Sequence, residues 1–102
     1  MEKVYVLLRS EYREDTKDRS IIRIHKTPEG AKEDFLKVVA DEKAEYMYAQ
    51  TGSTDATEED MELAGVHEQR QEDEDGTILW HIWRPNGWDE VFIQLFRYTL
   101  FE

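Results

Sequence analysis

The tetrapeptide Pro85-Asn86-Gly87-Trp88 constrains this chain more than any other segment. An Asn-Gly pair suits a two-residue type I′ turn, because both central residues need positive φ and the turn's twist matches that of the strands it joins. A turn centred there sets Arg84 opposite Asp89, Ile82 opposite Val91, Trp80 opposite Ile93 and Ile78 opposite Leu95. The result is an apolar ladder with an ion pair at its end. The alternate positions hold Leu79, His81, Trp83, Phe92 and Phe96, continued by Tyr98 and Leu100. Both faces of this hairpin are therefore apolar, and both call for cover.

The first half reads as two strands and a helix. Lys3 to Arg9 alternates Val4, Val6 and Leu8 on one side with Tyr5 and Leu7 on the other, the pattern of an inner strand. Residues 10–18 are polar with mixed charge and read as a solvated loop. Ser20 to His25 then supplies a second strand, with Ile22 and Ile24 opposite Ile21, so the two are expected to pair as a long-looped hairpin. Thr27-Pro28-Glu29 marks a helix start. Thr27 can accept from the orphan amides of the first turn, Pro28 loses nothing at the first helical position, and Glu29 favours the positive end of the dipole. Ala31, Phe35, Val38 and Val39 then recur at helical spacing with Leu36 beside them, and Glu33 and Lys37 form an i, i+4 pair on the wet side. Phe35 is the expected main core contact of a helix over 28–45. The pattern fades at Glu45 to Tyr48, and Thr51 to Thr54 is a loop by composition.

The segment between helix and hairpin is short and acidic. Thr57-Glu58-Glu59-Asp60 predicts a capped helix start, followed by Met61, Leu63 and Ala64 and by Gly65 as the stop, about two turns in all. Residues 66–72 predict a polar edge strand that leads into a turn at Asp73-Glu74-Asp75-Gly76. A chain of 102 residues makes one domain and buries roughly two-thirds of its extended-chain surface. The expected fold is α+β: a twisted antiparallel sheet of order β-β-α-short α-β-β-β, with the main helix on one face. Self-association or the short acidic helix would close the other face.

Composition excludes several function classes. No cysteine is present, which removes disulfides, thiolate nucleophiles and Cys-containing zinc sites and agrees with a reducing compartment. The apolar run Val4 to Leu8 is far too short for a signal peptide or a membrane span, so the expected address is the cytoplasm. Charge is split unevenly along the chain. Residues 51–102 hold thirteen acids against three bases, a net of −10, while residues 1–50 hold eleven acids against ten bases, a net of −1. Ten of the carboxylates lie between Asp55 and Asp75, with Arg70 as the one cation among them.

Catalytic and metal motifs are weak. Residues 71–82 place Asp73, Asp75, Gly76 and Ile78 at calcium-loop offsets, but Gln71 and Ile82 occupy two ligand positions and the flanks read as strands where helices are required. His25, His67 and His81 share no zinc spacing. If the turn at 73–76 closes a hairpin, Glu68 faces His81, a cross-strand ion pair or, less often, an acid/base dyad, with no nucleophile or oxyanion donor to be named beside it. Ser10, Ser20 and Ser53 lie in no nucleophile-elbow context, and the glycines form no phosphate loop. No catalytic, cofactor or metal residue is therefore assigned. Seven of the twelve aromatics fall between Trp80 and Phe101, which raises a stacking platform for single-stranded nucleic acid, but a groove that tracks phosphates must be basic. Most of these rings read as core, with Trp83 and Trp88 the candidates to meet a partner.

The order KVYVLL, a polar loop, SIIRIH and then TPEGAKEDF entering a helix resembles small uncharacterised domains of phages and mobile elements over about the first forty residues. The resemblance implies no activity and supplies no site residue. It does favour one class of action, since small acidic phage proteins often act as nucleic-acid mimics in the basic cleft of another protein.

The functional expectation is a non-catalytic acidic binding module that engages a basic protein surface, with no direct nucleic-acid or membrane contact. Its contact residues would be Glu58, Glu59, Asp60, Glu62, Glu72, Asp73, Glu74 and Asp75, together with Trp83 and Trp88. The alternative is a small-ligand or metal-binding regulatory domain built on His81, Glu68 and the aromatic sheet face. One amphipathic helix cannot cover two apolar sheet faces, so a homodimer through the second face is also expected.

Overall fold

A computed structural model of the chain describes residues 2–55, 57–85 and 89–100. Strand β1 (Glu2–Arg13) and strand β2 (Thr16–His25) are followed by helix α1 (Pro28–Thr51) and a short helix α2 (Glu58–Ala64). Strands β3 (His67–Glu72), β4 (Ile78–Trp83) and β5 (Glu90–Leu100) complete the chain. The five strands form one antiparallel sheet in the order β2-β1-β5-β4-β3, with α1 packed on one face. The fold is α+β.

The closing hairpin has the expected register, with Ile78 opposite Leu95, Trp80 opposite Ile93 and Ile82 opposite Val91. All six are buried, and β4 alternates strictly between buried and half-buried residues along its length. Leu7 of β1 faces Leu95 and joins this layer, which Phe35, Ala31, Tyr46 and Met47 of α1 close from above. Phe35 is fully buried, as its place in the apolar stripe predicts, whereas Leu36 is exposed. The turn expected at Asn86-Gly87, and Trp88, lie outside the described residues.

Three expectations change. The first hairpin has no long loop: pairing runs out to Arg13 opposite Thr16, and Glu14 takes a positive φ of 31° at the tight reversal. Polar residues here build strand because the largely covered Glu11 accepts from both Arg9 and Arg13, which satisfies its charge along the strand. Helix α1 continues to Thr51, since Tyr46 and Met47 still reach the core, and it ends where Gly52 adopts φ 76° and donates its amide to the Tyr48 carbonyl. Finally, α2 does not close the second sheet face. Its one buried residue, Met61, joins the same core as α1, so both helices lie on one side.

Helix α1 is clamped to its neighbours by charged pairs, the closest of them at three points. Asp34 accepts from Arg23 through both oxygens and from His25 Nε2 at 2.7 Å, which ties the helix to β2. Glu42 takes Arg9 in a two-pronged contact at 2.6 and 3.2 Å and so ties it to β1. Lys43 donates to Glu58 and Glu68, each at 3.1 Å, and joins the helix to α2 and β3.

Candidate functional site

The acidic segment begins as a device for starting a helix. Thr57 accepts from the Asp60 amide through Oγ1 and donates its own amide to Asp60 Oδ2 at 2.8 Å, a reciprocal cap. Gly65 ends the helix at φ 73°, a conformation that a residue with a Cβ adopts only under strain. Asp60 is thus committed to the backbone. So is Asp75, whose Oδ1 accepts from the Thr77 amide at 2.9 Å, a hydrogen bond that holds this carboxyl below its ordinary range.

The remaining carboxylates divide into two groups. Glu58 is paired with Lys43, and Glu72 lies 3.5 Å from Lys32 and 3.7 Å from Arg70. Burial works against the Lys43 charge, but the carboxylates of Glu58 and Glu68 more than offset it, and its pKa is raised. Glu59, Glu62, Asp73 and Glu74 are exposed, with no ion-pair partner among the described residues. They sit at the two ends of edge strand β3: α2 enters the strand at His67, and the turn leaves it after Glu72. Six strand residues separate those ends by roughly 20 Å at about 3.3 Å per residue.

Trp83 does not belong to this flank. It faces away from the helices, on the side of the sheet shared by His81 and Phe92, and it is half-buried there. A row of rings crosses this face. His67 stacks on Trp83 at 5.6 Å between centroids, Trp83 on His81 at 4.4 Å, His81 on Phe92 at 3.9 Å, and Phe92 meets the edge of Tyr12 at 5.5 Å. Rings stacked on one another spend their faces internally and turn only edges outward, which is unlike a platform on which bases lie flat.

The expected pairing of Glu68 with His81 is corrected. Glu68 stands opposite Ile82 and Gln69 opposite His81, so the carboxylate and the imidazole lie on different faces of the sheet. The one-residue difference comes from the turn. The Asp73 amide donates to the Thr77 carbonyl at 2.9 Å, so the loop spans 73–77 and Thr77 does not extend the strand. Glu68 instead accepts from the buried Trp80 indole at 2.8 Å, while His81 meets Glu90 at 3.1 Å.

A second polar cluster was not legible in the sequence. Arg13, Glu11, Arg9 and Glu42 form an alternating chain along the seam between β1 and α1, and Glu11 and Glu42 are largely covered. The expected loop at 10–18 had placed two of these residues in solvent. The network raises the Arg9 pKa, mainly through the Glu42 hydrogen bond, and it holds Glu11 below its ordinary value despite burial. Each carboxylate is already matched by a guanidinium, the arrangement of a structural brace.

The segment resembling a calcium loop joins two strands, β3 and β4, and is closed by its own hydrogen bonds. Among the described residues no group of three or more His, Asp or Glu side chains is placed to hold a metal ion. No described helix is long and apolar enough to cross a membrane. Comparison with protein-family models, with curated proteins and with solved structures finds no match.

Proposed function

We propose that this chain is a non-catalytic acidic binding module that presents the flank built from α2 and the β3–β4 turn to a basic protein surface. The observation that carries this reading is the pair of exposed acidic patches, Glu59 with Glu62 and Asp73 with Glu74, at opposite ends of one edge strand. A net charge of −11 adds long-range attraction for a basic partner and makes association fast and salt-sensitive. Separated carboxylates on a rigid edge also suit competition with nucleic acid for such a surface. Asp60 and Asp75 act in this reading as parts of the fold, Glu58 and Glu72 as partly neutralised neighbours, and Trp83 contributes nothing on this side.

The test changes the four free carboxylates together, as Glu59→Gln, Glu62→Gln, Asp73→Asn and Glu74→Gln. None of them caps a helix or pairs with a cation among the described residues, so the variant should keep its melting temperature within a few degrees. In capture from host lysate, basic proteins held by the parent at low salt should be lost from the variant and from the parent at 0.5 M salt. Equal retention of the same proteins by parent and variant at low salt would sink the proposal.

A further inference from the structure

No described helix or strand covers the sheet face turned away from α1 and α2. Of the seven large apolar residues that are exposed among the described residues, four lie on it: Ile21, Ile24, Tyr98 and Leu100, with exposures of 46 to 59%. Around them lie Val6, Leu8, Phe92, Phe96 and the ring row centred on Trp83. Strand registers also show which charges share this face. Among the described residues Glu2 and Glu90 lie on it and Glu14 and Asp15 stand at its hairpin rim beside Tyr12 and Phe92, against Lys17 and Arg19 at the β2 edge. A molecule of net charge −11 thus carries one broad face that is mainly apolar and sparsely charged.

We propose that a second copy of this chain covers this face, the two sheets packing against each other with the helices outward. Area supports it: five strands span roughly 24 Å across and roughly 30 Å along, on the order of 700 Å², close to the roughly 800 Å² that each partner gives a standard interface. Charge supports it too. The face lacks the acidic density of the α2 and β3–β4 flank, and a two-fold axis sets a sparsely charged, mainly apolar surface against itself. Repulsion between the α2 carboxylates of the two copies does not oppose it, because sheets stacked at about 10 Å with helices about 10 Å further out keep those helices about 30 Å apart, several times the roughly 8 Å screening length at physiological salt.

The inference concerns a different face from the acidic flank and is tested separately. Sedimentation equilibrium of the parent between 1 and 100 μM should give twice the 12.2 kDa chain mass. Ile21→Glu and Ile24→Glu alter side chains more than half exposed in a single copy, so each should fold while raising the dimer dissociation constant about 100-fold or more. Leu36→Glu and Leu63→Glu, exposed on the helical side, should leave it unchanged. The four-carboxylate variant should remain dimeric, so that loss of basic-partner capture and loss of the dimer are distinguishable. A 12.2 kDa parent at every concentration, or a dimer broken by the Leu36 and Leu63 variants but not by those at Ile21 and Ile24, overturns the proposal.

Discussion

Glu68 is the residue on which most of the acidic segment's structural duty falls. Trp80 is buried to 1% exposure, and its indole N–H has to find an acceptor or lose the hydrogen bond that water would have made. Glu68 provides that acceptor at 2.8 Å while its other oxygen holds Lys43. Glu68→Ala strands the indole N–H and frees one side of Lys43, and it should lower unfolding stability by about 1–3 kcal/mol in urea titrations. Glu68→Gln keeps a carbonyl oxygen in place and should recover at least half of that loss. Equal losses in the two variants would mean that the charge on Lys43 matters and the indole bond does not. This role could not be read from sequence, because it depends on a one-residue register that the Thr77 carbonyl sets within an otherwise featureless acidic turn.

At the scale of elements, the parts legible in the sequence are those with a local physical cause. Thr27 and Pro28 start α1, Thr57 and Asp60 start α2, and the apolar alternation of β4 and β5 sets their register, each by contacts within a few residues or across one hairpin. What the pattern concealed were stretches stabilised by distant contacts: the outer half of the first hairpin, braced by the charge of Glu42, and the last turns of α1, held by burial of Tyr46 and Met47. The clamp between α1 and edge strand β2 has the same character and makes a prediction about pH. Arg23 above all draws the Asp34 carboxyl down from 3.8 to about 2; burial opposes it, and His25 adds a lesser contribution in the same direction as Arg23. A carboxyl whose pKa is depressed on folding adds stability that is complete above its unfolded value and is lost as pH falls through the folded one. The stability difference between parent and Asp34→Asn should therefore be constant above pH about 5, shrink from pH about 4 and be nearly gone by pH about 2. Chemical denaturation at stepped pH reads it directly. A difference that persists undiminished to pH about 2 would show that the clamp works through shape and not through charge.

The whole molecule has two layers where a buried two-faced sheet would need three. Its Cα radius of gyration is 15.0 Å, against about 13 Å for a compact chain of this length, and its extents are 49 × 29 × 21 Å. The 21 Å dimension is one sheet plus one helix layer, so the excess radius reflects a missing third layer as well as the long first hairpin. Two dimer geometries would then look different in solution. Stacking through the open faces doubles the shortest axis to roughly 42 Å and leaves the longest unchanged, giving a rounder particle. Pairing of edge strands would instead extend the sheet sideways and keep the particle thin. The edges argue against the second geometry, because β3 is fully exposed and carries Glu68, Arg70 and Glu72, while the outer part of β2 carries Lys17, Asp18 and Arg19. Small-angle scattering at concentrations where the dimer predominates should give a cross-section about twice the monomer's and a maximum dimension little greater than that of the Ile24→Glu monomer. A maximum dimension that lengthens by about 25 Å, the width of five strands, with no thickening, would assign the dimer to the edges and return the open face to some other partner.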